Sequence, residues 1–144
     1  AVDFSDGNQR WMFNGTGYQV FYSRPHHQWA VVESVYASSN SRSNNDTLYF
    51  NPRHDLELGL ALEYQGILRR HYDFSWRHTL LVGMGAYAQQ DYDTGPVAQL
   101  EYRHDWVRDK TVSWFYGIAI HRHPYDGNDE LREALLAGFT WRFD

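Results

Sequence analysis

Acidic and amide side chains recur at alternate positions in two segments of this 144-residue chain. In the first segment Glu57, Glu63 and Gln65 alternate with apolar residues. Alternate side chains of a β-strand point to the same face, so each segment predicts one polar face. A row of carboxylates raises the local concentration of cations, which predicts a surface along which a cationic ligand could pass. Mixed charges that pair with one another across strands would explain the same residues equally well. The second segment contributes Gln99, Glu101, Arg103 and Asp105.

Two other constellations could carry chemistry. His121 and His123 are two residues apart, a spacing that can chelate zinc on one strand face, but no third ligand is fixed by the sequence. A hydrogen-bonded histidine pair is the favoured interpretation. Ser75, His78 and Asp73 are the residue types of a hydrolase triad, but the sequence around Ser75 lacks a nucleophile elbow. We therefore expect no enzymatic activity, no metal site and no cofactor.

Aromatic side chains form a further possible track, because sugar rings stack on aromatic faces. Trp11, Phe13 and Phe21 share one face of a predicted strand, whereas Tyr87 and Phe115 have the phase of the polar residues in theirs. The favoured alternative is that these phases are inverted, or that the rings pack beneath a plugging loop.

The elements that position these residues are strands. Phe139, Trp141 and Phe143 form one aromatic row at the end of the chain, which suits the last strand of a transmembrane β-barrel. Turn signals and period-2 alternation predict strands of mostly ten to thirteen residues, long enough to cross a bilayer at a tilt. They cover 10–22, 27–38, 55–66, 76–90, 96–106, 111–123 and 131–143.

Membrane crossing also fixes the predicted orientation of Glu33, which lies between Val32 and Ser34. A carboxylate that faces hydrocarbon is costly, so we expect Glu33 to turn inward. The predicted fold class is all-β, an antiparallel transmembrane barrel in which residues 1–144 form a single domain.

Composition agrees with this class and excludes others. Aromatic residues make up 17% of the chain, as expected where Tyr and Trp lie at both membrane boundaries. Mean hydropathy is −0.67, which is ordinary for strands that alternate apolar and polar residues. The net charge of −5 argues against nucleic acid as a partner, and the absence of cysteine excludes disulfides and thiolate metal sites.

The predicted turns can be assigned to sides, because barrel C-termini lie in the periplasm. Counting back from Phe143 places 124–130, 91–95 and 39–54 outside, and 107–110, 67–75 and 23–26 inside. Seven strands would then leave the first nine residues outside, although bacterial barrels have even strand numbers. We favour the C-terminal part of a larger barrel. The alternative is a complete eight-stranded barrel with a structural or adhesive role and a further strand at 1–6 or 47–51.

Four short motifs, taken in their order along the chain, support the larger barrel. They are Asp-Phe-Ser-Asp-Gly-Asn at 3–8, Tyr-Phe-Asn-Pro at 49–52, Pro-Tyr-Asp-Gly at 124–127 and Trp-Arg-Phe at 141–143. Together they resemble the C-terminal region of the poly-β-1,6-N-acetylglucosamine export porins (the PgaA/HmsH type). Cellulose-export outer-membrane proteins carry a comparable barrel. The resemblance therefore supports polysaccharide export more strongly than it supports any particular polymer.

The resemblance implies a place in the bacterial outer membrane, as about the last half of a sixteen-stranded barrel. It also implies a periplasmic tetratricopeptide-repeat domain in the rest of the polypeptide, and a partly deacetylated, cationic, biofilm-matrix polysaccharide as the transported substrate. Glu33, Glu57, Glu63, Gln65, Gln99, Glu101, Arg103 and Asp105 would then line the path of that polymer.

Overall fold

The computed structural model describes residues 2–5, 7–42, 51–108 and 111–143, which form one antiparallel sheet. Each strand pairs with its neighbours in sequence. The first strand has two residues and pairs with the start of the second, and the other seven are long. The strands are β1 (Val2–Asp3), β2 (Gln9–Arg24), β3 (His27–Asn40), β4 (His54–His71), β5 (Phe74–Gln89), β6 (Gly95–Arg108), β7 (Val112–Tyr125) and β8 (Asn128–Trp141).

The long strands exceed their predicted lengths because the turns are tighter than the sequence suggested. The connection predicted at 67–75 is a two-residue turn at Tyr72 and Asp73. The pairing of β4 with β5 shifts between Ile67 and Arg69, which leaves Leu68 as a β-bulge. An extra residue of this kind breaks the alternation on which the prediction relied.

The connection predicted at 124–130 is also shorter. Asp126 and Gly127 form a two-residue turn in which both have positive φ, 49° and 76°. This is the geometry of a type I′ hairpin, which asparagine, aspartate and glycine favour and whose twist matches the flanking strands. β7 and β8 therefore continue up to a two-residue hairpin turn.

The two faces of the sheet differ in exposure. Leu58 and Leu60 are 52% and 55% exposed, whereas Ala61, on the opposite face of β4, is 4% exposed. His123 of β7 contacts Glu57 of β4 across the two intervening strands, so the sheet curves toward that face. We name the face that carries Glu57 the concave face and the face that carries Leu58 the convex face. The buried apolar residues Ala30, Ala61, Tyr87 and Ala119 belong to the concave face.

The sheet is open in the part of the chain that the structure describes. β8 pairs with β7 alone, and β2 pairs with β1 and β3. These strands therefore do not close into the alternative eight-stranded barrel. Of the two further strands suggested for it, the first contains the short β1, and residues 47–50 of the second lie outside the described residues. None of the described residues forms a helix capable of spanning a membrane.

The sheet has two rims. The C-terminal rim holds the β2–β3, β4–β5 and β6–β7 connections and the end of β8, and the distal rim holds the others. At the distal rim, Asn8 Nδ2 donates to Asn51 Oδ1 at 3.0 Å, and Asn51 Nδ2 donates to the Arg42 carbonyl at 2.7 Å. Both asparagine side chains are buried. These bonds join the segment before β2 to the segment before β4, two of the segments that carried the sequence resemblance.

Candidate lumenal face

Strand register places seven of the eight predicted lumenal residues on the concave face. Directly paired residues of antiparallel strands share a face. Glu57 pairs with Tyr87, and Glu63 pairs with Leu81, which pairs in turn with Glu101. The remaining predicted residues on this face are Gln65, Gln99, Arg103 and Asp105.

Glu33 is the exception, and its predicted inward orientation is wrong. It pairs with Leu60 and with Gly17, so its exposed side chain belongs to the convex face. The reason is local: β3 has no bulge between residues 27 and 39, so the alternation cannot reverse at one costly residue. Gly17 accommodates the side chain, since a Cβ built there would lie 3.2 Å from Glu33 Oε2.

Glu63 accepts two hydrogen bonds from neutral groups. Tyr18 Oη and Gln65 Nε2 each donate to Glu63 Oε1 at 2.7 Å. Gln28 Nε2 donates in turn to Tyr18 Oη at 3.0 Å. Among the described residues no arginine or lysine lies against this carboxylate, so its negative charge is not cancelled locally.

Asp105 differs, because a cation lies against it. Arg103 forms a 2.5 Å ion pair with Asp105 Oδ1 and stacks 4.0 Å from the centroid of the Phe115 ring. Phe115 lies over Gly138, where a Cβ would come within 2.2 Å of the ring. The Arg103 and Phe115 side chains are therefore packed within the wall. Phe115 is not an open surface on which a sugar ring could stack.

A polar network occupies the concave face near the distal rim. Arg10 Nη2 donates to Tyr36 Oη at 2.7 Å and lies 3.8 Å from Asp55 Oδ2. Tyr87 Oη donates to the same carboxylate at 3.1 Å, and Ser38 hydrogen-bonds to its other oxygen. Tyr87 is 4% exposed, so it supports the wall rather than facing an open channel.

A groove of about 850 Å³ lies beside this network. His123 Nε2 is 3.1 Å from Glu57 Oε2, and its ring packs at 4.4 Å against both Tyr87 and Tyr125. Tyr125 remains 41% exposed. Among the residues that the structure describes, Glu101 has no hydrogen-bond or ion-pair partner. The groove is also lined by His121, Asp126, Glu130 and Arg132.

Sequence reasoning missed several members of this surface. The last strand was predicted to begin at 131, but β8 begins at Asn128, which brings Glu130 onto the concave face opposite His123. The Asp126-Gly127 dipeptide was the available signal, because it favours a tight hairpin over a loop. Tyr18 belongs to the other phase of β2, and alternation alone does not assign its face because both phases of this strand carry aromatic residues.

The predicted aromatic track is not present on the concave face of β2. Trp11 and Phe13 pair with Ser39 and Ala37 on the convex face. Phe21 occupies a β-bulge between Val20 and Tyr22. The inverted phase that the sequence left open is the one observed.

Strand register separates the residues of the hydrolase constellation but not the two histidines. His121 and His123 share the concave face, but the described residues contain no cluster of three metal-ligating side chains. Ser75 pairs with Val107 on the concave face, whereas His78 pairs with His104 on the convex face. The two side chains therefore cannot act on one substrate.

Comparisons with known proteins support the assignment of this sheet to the wall of a barrel. The sequence profile of the PgaA membrane beta barrel domain matches residues 1–143. The chain is 33% identical over 142 residues to the poly-beta-1,6-N-acetyl-D-glucosamine export proteins of Escherichia coli strains K12 and O157:H7. It covers 17% of their length, with 99% of its own residues aligned. These relatives are named as export proteins and not as enzymes.

A solved structure has the same fold. The chain superposes on a bacterial polysaccharide outer membrane secretin with a TM-score of 0.92 and 30% sequence identity. The match covers 99% of this chain and 48% of that one. An open sheet with an apolar convex face and a polar concave face is what a section of such an outer-membrane barrel requires. This chain belongs to the PgaA membrane beta barrel domain family and forms part of an outer-membrane β-barrel.

Proposed function

We propose that this chain forms part of the wall of a pore that exports a cationic polysaccharide, a partly deacetylated poly-β-1,6-N-acetylglucosamine. The concave face lines the path and carries out no covalent chemistry. The other strands of a sixteen-stranded barrel and a periplasmic repeat domain complete the exporter. The observation that carries the proposal is the position of three concave carboxylates, Glu57, Glu63 and Glu101, which we name the central carboxylates.

The central carboxylates differ from Asp55 and Asp105 in the groups that lie beside them. Asp105 and Asp55 lie beside Arg103 and Arg10. In the described part of the chain, by contrast, no arginine pairs with a central carboxylate: Glu57 contacts a histidine, and Glu63 accepts from phenol and amide groups. A positively charged amine in the lumen would therefore meet negative charge that the wall does not cancel.

Small neighbours keep two of these carboxylates accessible from the lumen. Glu63 pairs with Ala30, and Glu101 pairs with Ala119. Alanine side chains are too short to cover an adjacent glutamate. A protonated amine could form short-lived contacts with Glu63 and Glu101 at one level of the wall and with Glu57 nearer the distal rim. Contacts that are several and weak favour passage over retention.

Surface display of the polymer tests this proposal. The triple variant Glu57→Gln, Glu63→Gln, Glu101→Gln is compared with Glu33→Gln in the complete protein. Focused charge in a cleft raises counter-ion concentration by about tenfold or more, so the triple variant should export about tenfold less polymer. Glu33→Gln makes the same substitution on the convex face and should export normally.

The amount of folded barrel is measured in parallel, by its migration in unheated gels, so that loss of export can be separated from loss of protein. Normal export by the triple variant would contradict the proposal. An equal loss in Glu33→Gln, with the barrel folded in both variants, would also contradict it.

A further inference from the structure

The concave face changes the sign of its charge toward the C-terminal rim. Arg70 pairs with Ser75, and Arg77 pairs with Asp105, which places both arginines on this face. Both residues are exposed, and both line a groove of about 390 Å³ beside the β4–β5 turn. Two guanidinium groups therefore lie on the lumenal side of the wall near its C-terminal rim.

Two further arginines belong to the same band of the concave face. Arg103 forms the 2.5 Å ion pair with Asp105. The Arg142 N–H donates to the Thr111 carbonyl at 2.8 Å, which continues the pairing of β8 with β7 beyond Trp141. Trp141 is convex, so alternation places Arg142 on the concave face. We name Arg70, Arg77, Arg103 and Arg142 the mouth arginines.

Acidic side chains are too few to cancel the charge of the mouth arginines. From the level of Arg103 to the C-terminal rim, the concave face of the described strands carries one carboxylate, that of Asp105. Asp73 lies in the adjoining turn. Four arginines thus face two acids. The band carries an excess of positive charge, whichever of its arginines form ion pairs.

Farther from the rim the sign of the charge reverses. Glu101 is two residues from Arg103 along β6, a distance of about 7 Å, and Glu63 lies at the level of Glu101. Beyond this level the concave face of the described strands carries more carboxylates than arginines. A chain that enters at the C-terminal rim therefore meets a positive wall before a negative one. The carboxylates are those of Asp55, Glu57, Glu63, Glu101 and Glu130, and the arginines are Arg10 and Arg132.

We propose that the mouth arginines are a specificity filter, which slows the entry of protonated amines and leaves N-acetylated sugars unaffected. This inference rests on the proposed function, in which the polymer arrives from the periplasm, the side on which barrel C-termini lie. Two excess positive charges at about 10 Å, in a medium like water, slow the entry of a protonated amine about fourfold. An acetamide carries no charge and is not repelled. Because each amine meets the barrier in turn, the filter favours polymers whose amines are sparse over fully deacetylated ones.

Blockade of single channels by short sugars tests the filter. The complete protein is inserted into planar bilayers at low salt, where charges are screened least. Hexamers of glucosamine or of N-acetylglucosamine are added on the side of the C-terminal rim, and the frequency of current interruptions gives the rate of entry. The double variant Arg70→Gln, Arg77→Gln removes two charges and should raise the entry frequency of the glucosamine hexamer about fourfold. Entry of the N-acetylglucosamine hexamer, and entry of either hexamer from the distal side, should not change.

Arg69→Gln is the matched control. The bulge at Leu68 places Arg69 opposite Trp76 on the convex face, one residue from Arg70. This variant should leave both entry frequencies unchanged. An unchanged glucosamine frequency in the double variant would overturn the filter. An equal rise for both hexamers would also overturn it, because the arginines would then act by size. Arg70→Gln and Arg77→Gln are also measured singly, each with an expected rise of about twofold, so that the test stands if the double variant fails to insert.

The same recordings separate the filter from the proposed function. The duration of each interruption measures retention by the central carboxylates, whereas the frequency measures passage of the mouth arginines. A glucosamine hexamer that is retained no longer than its acetylated counterpart would count against the proposed function. A normal retention time with an entry frequency that does not respond to Arg70 and Arg77 would count against the filter alone.

Discussion

The concave and convex faces are built from the same strands yet follow opposite rules. On the concave face, side chains contact one another, as in the Arg103–Asp105 pair and the Tyr87–Asp55 hydrogen bond. On the convex face, large apolar side chains such as Met84 and Leu135 are 73% and 89% exposed. Such exposure would be a liability in water, and in a bilayer it places hydrocarbon against hydrocarbon. Along one strand, therefore, successive residues are suited alternately to water and to lipid.

Substitutions at two adjacent residues of β6 should reveal the largest difference in stability between the two faces. Leu100 is convex and Glu101 is concave. An arginine on the lipid face near the bilayer midplane costs about 2–4 kcal/mol, so Leu100→Arg should destabilise the barrel by that amount. Glu101→Arg, one residue away, should change stability by less than about 1 kcal/mol because its side chain stays in water. Urea unfolding in lipid vesicles measures both free energies, and similar losses in the two variants would argue against the face assignment.

A substitution of Glu33 should have a smaller effect on stability. Glu33 is a charged residue on the largely apolar convex face. Its carboxylate lies among Leu60 and the other convex side chains of β3 and β4. Replacing it with leucine should stabilise the barrel by about 1–2 kcal/mol, since an acidic group costs less than arginine on the lipid face. The same urea titration measures the gain. A loss of stability would instead indicate that Glu33 has a partner in the assembled barrel.

The sequence predicted the faces better than it predicted the ends of the strands. Period-2 alternation in β4 and β6 was enough to place Glu57 and Glu101, because no bulge interrupts those segments. It failed where an extra residue enters, at Leu68 and Phe21, since a bulge leaves no mark in composition. The cost of a carboxylate that faces lipid also proved a poor guide, because the register is set by the whole strand and Glu33 follows it.

The site was predictable only in part, for a different reason. Alternation predicts which side chains share a face, but it does not predict which of them neutralise one another. Asp105 and Glu101 were equivalent in the sequence, yet Arg103 pairs with the first and leaves the second without a partner among the described residues. Contacts between distant strands, such as the one from His123 to Glu57, depend on the curvature of the sheet and could not be inferred.

Accessibility along β4 tests the central claim most directly, because the chain contains no cysteine. Single cysteines replace Glu57 and Glu63 on the concave face and Leu58 and Leu62 on the convex face, in a cysteine-free form of the complete protein. Each variant is treated with a charged, membrane-impermeant thiol reagent, with and without active export. The account predicts rapid labelling at 57 and 63 that slows while polymer occupies the pore, and little labelling at 58 and 62. Equal labelling of both pairs, or labelling at 57 and 63 that export does not change, would contradict it.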